Sequence, residues 1–254
     1  MPDLPERRAN VSQAYDGLAR LLPGVQNVGD SWDEKDLYWV MEQATQISQA
    51  VHPEFLCRSG CTTCCRGDSI PIVSSIEWRR LYPHIYGLPE GMRRLIVRQA
   101  REIWGPILHM LLKGKAGYED DGRLRIVPKE LEATVHCPLL AYGKCSVYLA
   151  RPFQCRSFGN FAQSKKGDMS LYMCSQASQH IEETFPADTA LPVLNPYIMT
   201  LVALEGANPV VAMLPLWIAA HIEGPDFSQT CTLEPDFEAV VKRFQATPGT
   251  PSKH

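Results

Sequence analysis

The chain carries nine cysteines, and eight of them fall into two groups. The first reads Cys57-Arg-Ser-Gly-Cys61-Thr-Thr-Cys64-Cys65, four thiols within nine residues. Its short gaps let several thiolates converge on one centre, and Gly60 removes a side chain where the backbone must fold tightly. The second group is Cys137, Cys145, Cys155 and Cys174, more widely spaced. Thiolate is the ligand form of cysteine, and sets of four suit zinc or an iron–sulfur cluster. Eight thiolates serve two four-cysteine zinc sites, two clusters, or one cluster with spare thiols. A lone buried cysteine packs as a small hydrophobe. This set lies in polar, loop-like sequence, which argues for ligation. Cys231, isolated between Thr230 and Thr232, reads as a non-ligand.

The choice of metal follows from spacing. Two separated C-x2-C knuckles, the zinc-ribbon pattern, are absent. Cys57, Cys61 and Cys64 suit three corners of a cubane, which favours a 4Fe–4S cluster over the zinc alternative. The adjacent Cys64 and Cys65 point in different directions, so they serve different centres or one stands behind the ligands. C-x3-C-x2-C is also the cluster motif of radical S-adenosylmethionine enzymes. Here it follows a long helix, no regular strand–helix alternation comes after it as a β/α barrel requires, and the immediate Cys65 departs from that pattern. Fold and site therefore disagree for that reading.

Thiolate ligands make a centre anionic, so neighbouring N–H donors and cations stabilise it and tune its potential. Arg58, Arg66, Arg151 and Arg156 flank cysteines and are candidates for that role. His136, beside Cys137, reads as a hydrogen-bonded neighbour of the site before a ligand; His52 and His180 carry less weight. Tyr148, Phe153 and Phe158 are placed to pack over the sulfurs. No Ser/His/Asp arrangement, Walker-type loop or dinucleotide fingerprint is recognisable, so the sequence does not establish an enzyme. Glu119-Asp120-Asp121 reads as solvated charge in a loop.

The elements that must hold these residues follow from periodicity. Ser31 and Glu34 have capping-box spacing, and Leu37, Met41, Ala44, Ile47 and Val51 recur at helical period, which predicts a helix over 32–51 ending at His52-Pro53. Residues 68–73 suit a short strand, and Ser74 or Ser75 caps a brief helix carrying Trp78 and Leu81. A helix over 91–113 shows an apolar face of Met92, Leu95, Ile96, Ile103, Ile107 and Met110, with Arg93, Arg94, Arg98 and Arg101 on its solvated side and Pro106 interrupting it. Residues 114–125 read as a loop leading to a strand. The segment 136–174 has little periodicity, and a bound metal would organise it. Asn195-Pro196 and Asn208-Pro209 each mark a helix start, and Phe237, Val240, Val241 and Phe244 face one side of a last helix.

The expectation is a mainly α protein: a single helical domain with a cysteine-rich irregular centre and few short strands. An N-terminal extension occupies 1–30, the domain 31–246 with its metal-binding core at 51–174 and a helical part at 188–246, and a tail 247–254. Composition, 45% hydrophobic and 21% charged, is ordinary for a globular chain, and a formal charge of −3 argues for neither nucleic acid nor an anionic membrane. The first residues lack the apolar segment of a secretory signal, and the stretch 209–220 is too short to span a bilayer. Both favour the cytoplasm, where thiols remain reduced unless a metal takes them. A secreted disulfide protein is the competing reading, disfavoured by the odd cysteine count.

The run Cys57 to Cys65, then CPLL with GKCSVY, then ARPFQCRSFG and a later cysteine, resembles the cysteine-cluster proteins described as zinc- or iron-chelating domains. The resemblance spans about residues 51–174 and keeps the family's order. It implies Cys57, Cys61, Cys64, Cys65, Cys137, Cys145, Cys155 and Cys174 as metal ligands, and Arg151, Pro152 and Arg156 as the family's RP..CR element, with the two arginines contacting the cofactor. A branch of the family is similar to flagellin lysine methylases, which implies S-adenosylmethionine and a protein substrate, although no Gly-rich loop for that cofactor is recognisable here. Three functions follow: an iron–sulfur or iron centre in a redox, sensing or iron-handling role; a cluster-dependent protein lysine methyltransferase; or a structural zinc module that binds a protein partner. Cys57→Ser or Cys155→Ser should strip metal and destabilise the fold, whereas Cys231→Ser should do neither. Metal analysis of the purified variants, with their melting curves, checks this; loss of metal from Cys231→Ser would overturn the ligand assignment.

Overall fold

The computed structural model describes residues 4–51, 60–66, 70–113, 136–165, 168–173 and 191–246, together with Gln179. Within them the chain is mainly α-helical, as expected, and its strands form four two-stranded antiparallel ribbons. The predicted loop and strand after residue 113 lie outside the described residues. No helix among the described residues is long and apolar enough to cross a membrane. The chain divides into two compact units, one built from Met1–Cys61 and Phe153–Asn208, the other from Thr62–Pro152 and Pro209–His254.

In the first unit the central helix is Leu37–Val51, which starts five residues later than its capping pattern predicts. Asp36 is the reason. Its buried carboxylate accepts from the N–H of Tyr38 at 2.8 Å and of Trp39 at 3.4 Å, which caps the helix. The same carboxylate accepts from the N–H groups of Gly29 (2.7 Å), Ser31 (3.1 Å) and Trp32 (3.1 Å), and so folds the preceding loop over itself. Ser31 instead bonds Asp33 within that loop. Leu37, Met41 and Ala44 are buried as their period requires.

The helix Leu4–Ala19 packs on this central helix, with a bond of 2.9 Å between the Tyr15 and Ser48 hydroxyls; residues set apart as an extension by sequence thus belong to this unit. The expected helix start at Asn195-Pro196 is present in Asn195–Glu205. Asn195 spends its side chain elsewhere: its amide accepts from the Ser164 N–H and donates to the Ser164 carbonyl, both at 2.9 Å, which ties it to the ribbon Phe161–Lys165/Asp168–Tyr172.

In the second unit, Ser74 begins the helix Ser75–Tyr86 through a capping box, with the Glu77 carboxylate accepting from the Ser74 N–H at 3.1 Å. The strand Ile72–Ser74 pairs with Val211–Met213, so Asn208-Pro209 leads into a strand and not into the expected helix. The pairing explains the change: β-branched Val210 and Val211 complete a ladder closed at each end by Ser75 N–H to Val210 C=O (2.8 Å) and Leu214 N–H to Pro71 C=O (2.9 Å). The helix Leu214–Ala220 follows, and its Trp217 stacks on Trp78 with ring centres 5.4 Å apart while donating to the Val73 carbonyl at 2.8 Å.

The amphipathic segment from residue 90 is four pieces: an α-helix Glu90–Gln99, a π turn Ala100–Trp104, a 3-10 turn Gly105–Ile107 and the helix Leu108–Lys113. Pro106 sits at the start of the 3-10 turn, where sequence places the break. The last helix, Phe237–Ala246, buries Val240 and Val241 and sets Phe237 edge-on against Trp217. In urea denaturation Asp36→Ala should cost about 3 kcal/mol, because its removal leaves the buried Tyr38 N–H and several part-buried N–H donors without their acceptor, and Asp36→Asn should cost less. A loss under about 0.5 kcal/mol, the scale of a neutral surface change, would show that the carboxylate does not organise this loop.

Candidate metal centre

Of the eight grouped cysteines, Cys57 and Cys174 lie outside the described residues. Cys61 is exposed and Cys155 half-buried in the first unit; Cys64, Cys65, Cys137 and Cys145 belong to the second. None of the seven described cysteines is in a disulfide.

In the second unit local folding brings the two sequence groups together. Cys64–Arg66 forms a 3-10 turn, closed by Cys65 N–H to Thr62 C=O at 2.9 Å and Arg66 N–H to Thr63 C=O at 3.0 Å. The Cys65 carbonyl then accepts from the Cys137 N–H at 2.7 Å, so the first group is hydrogen-bonded to the start of the second. Cys137 leads into a small ribbon, Leu140-Ala141 with Lys144-Cys145, in which Leu140 stands opposite Cys145. The two residues between the strands, Tyr142 (φ 51°) and Gly143 (φ 71°), both take positive φ, the signature of a type I′ turn. Ser146 holds the ribbon closed, since its N–H and its hydroxyl both donate to the Leu139 carbonyl at 2.9 Å.

Two side chains from the helical segment behind it anchor the same piece. Gln99 donates to the Leu140 carbonyl at 3.2 Å, and the Trp104 indole donates to the His136 carbonyl at 3.0 Å. Cys137 is buried and Cys145 half-buried as a result. The backbone amides of Leu139 and Leu140 favour the thiolate of Cys137, and that of Val147 the thiolate of Cys145, while the Leu140 N–H closes the turn on the Cys137 carbonyl at 2.9 Å. Cys64 lies within electrostatic reach of both. Arg151, stacked 4.1 Å above the Tyr148 ring, bears its positive charge on Cys145.

These contacts act in opposite directions on the thiols. Burial holds Cys137 well above the usual thiol range, and the nearby Cys145 and Cys64 add to the shift; the amides oppose it. Burial likewise pushes Cys145 up, while the Val147 amide and Arg151 pull it down. His136 is held below its usual range by burial and by Arg66. Sulfurs that are neutral at pH 7 and neighboured by backbone amides become thiolates when a cation joins them. The donor set therefore fits a thiophilic metal such as iron or zinc. Among the described residues, no three His, Cys, Asp or Glu side chains form a group already positioned to hold an ion.

Arg156 has a different setting from Arg151. It lies buried in the first unit, its guanidinium 4.4 Å over the Tyr38 ring and 3.6 Å from the Glu42 carboxylate. Cys231 lies beside Tyr82 and Arg79. Sequence reading missed Gln99, Trp104 and Ser146, the residues that fix the ribbon. The Tyr142-Gly143 pair between two short apolar stretches was the one signal available for it. Comparison with protein-family models, with curated proteins and with solved structures gave no match.

Metal binding at Cys137 and Cys145 must expel a proton from each thiol. Apparent affinity for zinc should therefore fall about a hundredfold per unit decrease in pH between 8 and 6, about tenfold for each thiol. Chelator competition across that range measures the slope, and a flat profile would exclude these two sulfurs as ligands.

Proposed function

We propose that this protein binds iron, as an iron–sulfur cluster of the 4Fe–4S type or as iron itself, through its clustered cysteines, and serves a redox, sensing or iron-handling role in the cytoplasm. The observation that carries the proposal is the 2.7 Å bond from the Cys137 N–H to the Cys65 carbonyl, which joins the two cysteine groups and leaves Cys64 within electrostatic reach of Cys137 and Cys145, whose thiolates neighbouring backbone amides favour. Such donors stabilise the negative charge of a metal–thiolate unit and set its potential. A bound cluster supplies one-electron chemistry. The chain's part is to hold the sulfurs, to offset their charge with the amides of Leu139, Leu140 and Val147 and with Arg151, and to limit solvent access through burial of Cys137. No nucleic-acid role is proposed, and a protein partner is the expected counterpart.

Protein purified without oxygen should be brown, with iron and sulfide in matching amounts, and should bleach in air. Equal iron without sulfide would favour iron handling within the same proposal. A colourless protein with stoichiometric zinc would replace it with a structural zinc module, and protein devoid of both metals under these conditions would end the metal reading. A measurable affinity for S-adenosylmethionine in the loaded protein would move the assignment to a cluster-dependent lysine methyltransferase.

A further inference from the structure

Away from the cysteine groups, the second unit is built around one buried histidine. His221 ends the helix Leu214–Ala220 and is 1% exposed. Its Nε2 accepts from two donors, the Trp78 indole N–H at 3.2 Å and the Thr232 backbone N–H at 2.9 Å. A nitrogen facing two N–H groups carries no proton, so the ring hydrogen is on Nδ1, which donates to the Trp217 carbonyl at 2.8 Å. The imidazole is thus neutral, of fixed tautomer and fully bonded.

His221 also ties down the segment that follows the ribbon Ile222-Glu223/Asp226-Phe227. Its carbonyl accepts from the Ser228 N–H at 2.8 Å, and the Tyr82 hydroxyl donates to the Ser228 carbonyl. Together with Thr232 N–H, this gives the segment Ser228–Thr232 three attachments to the helices, two of them made by His221. The ring lies against Tyr82 (4.6 Å between centres) and Trp78 (4.9 Å).

We propose that His221 is an acid-sensitive latch, whose protonation frees the segment Ser228–Thr232, with Cys231, from the helices it is bonded to. A proton on Nε2 would oppose N–H to N–H at both Trp78 and Thr232, so both bonds must break together. The titratable and charged neighbours are Tyr82 and Arg79 on the Ser75–Tyr86 helix, Cys231 on the segment itself, Glu223 and Asp226 on the ribbon, and Arg243 on the last helix. Asp226 is committed to Arg93 through two bonds of 2.8 and 2.7 Å, and Arg243 donates to the Ala219 carbonyl at 2.8 Å. Among the described residues no carboxylate bonds the ring to compensate a charge on it. Burial depresses the His221 pKa, opposed in part by its bonds to Trp217 and Thr232. The open segment then takes up a proton more readily than the closed one. Closure is complete above the ordinary histidine value of about 6.5 and weakens as pH falls below it, down to the depressed value of the closed state.

Hydrogen exchange on the full chain at pH 7.5 and 5.5, corrected for intrinsic exchange rates, tests the latch. Protection at Ser228–Thr232 should drop about tenfold at the lower pH, the limit for one proton with an open-state pKa near 6.5, while the helix Leu37–Val51 keeps its protection. His221→Gln retains an acceptor but does not titrate, and its exchange in this segment should be the same at both pH values. Equal protection of the wild-type segment at both pH values would overturn the proposal, as would an undiminished pH step in His221→Gln. Should that variant fail to fold, NMR of the wild type decides: the Thr232 amide must shift with the His221 midpoint, and a Thr232 amide indifferent to that titration rejects the latch.

Discussion

A thiolate in a low-dielectric interior is unfavourable unless positive charge and hydrogen-bond donors meet it there, and the cysteine region of the second unit is arranged around that constraint. Burial alone would leave Cys137 inert as a small apolar side chain. What changes its prospects is the backbone: the amides of Leu139 and Leu140 in the turn after Cys137 favour its thiolate, and the amide of Val147 does the same for Cys145. The ribbon that carries these amides is closed by Ser146 and held from behind by Gln99 and Trp104. The irregular helical stretch Glu90–Lys113, with its π turn at Ala100–Trp104, is thereby tied to the chemistry of the sulfurs. A π turn is an uncommon element, often found where function dictates side-chain placement over regular helical geometry; here it carries Trp104 into the core and onto the His136 carbonyl.

The two arginines joined by one sequence element separate once the fold is known. Arg151 stacks on Tyr148 and acts on Cys145. Arg156, five residues on, is buried against Tyr38 and Glu42. Such a guanidinium costs much to desolvate and is retained only with partners, so its first consequence is to fix the short helix Phe153–Ser157 within its own unit. Cys155 is carried on that helix, and its placement depends on the neighbouring arginine being satisfied.

Much of the helical framework was legible because its signals are local. The Ser74–Glu77 capping box, the break at Pro106, the start at Asn195-Pro196 and the apolar face of the last helix are all written within a few residues of where they act. Failures came where a rival side chain nearby, or a distant partner, decides. Ser31 and Glu34 have the right spacing for a cap, yet Asp36 captures both the helix start and the loop before it. Asn208-Pro209 has the form of a helix start, yet Ile72–Ser74 offers a strand to pair with. The cysteines announced the candidate site by number and spacing. Their hydrogen bonds were not readable, because an amide pointing at a sulfur leaves no trace in residue identity.

The Tyr142-Gly143 turn carries a consequence for how this segment tolerates change in length. Side chains alternate across a strand, and a two-residue loop with both φ positive fixes which residue of the second strand faces which of the first. One residue added or removed between Cys137 and Cys145 would therefore turn Cys145 to the opposite face of the ribbon, whatever residue was inserted. Variants that keep this ribbon are free to change the exposed Lys144, but the number of residues between the two cysteines is fixed by geometry.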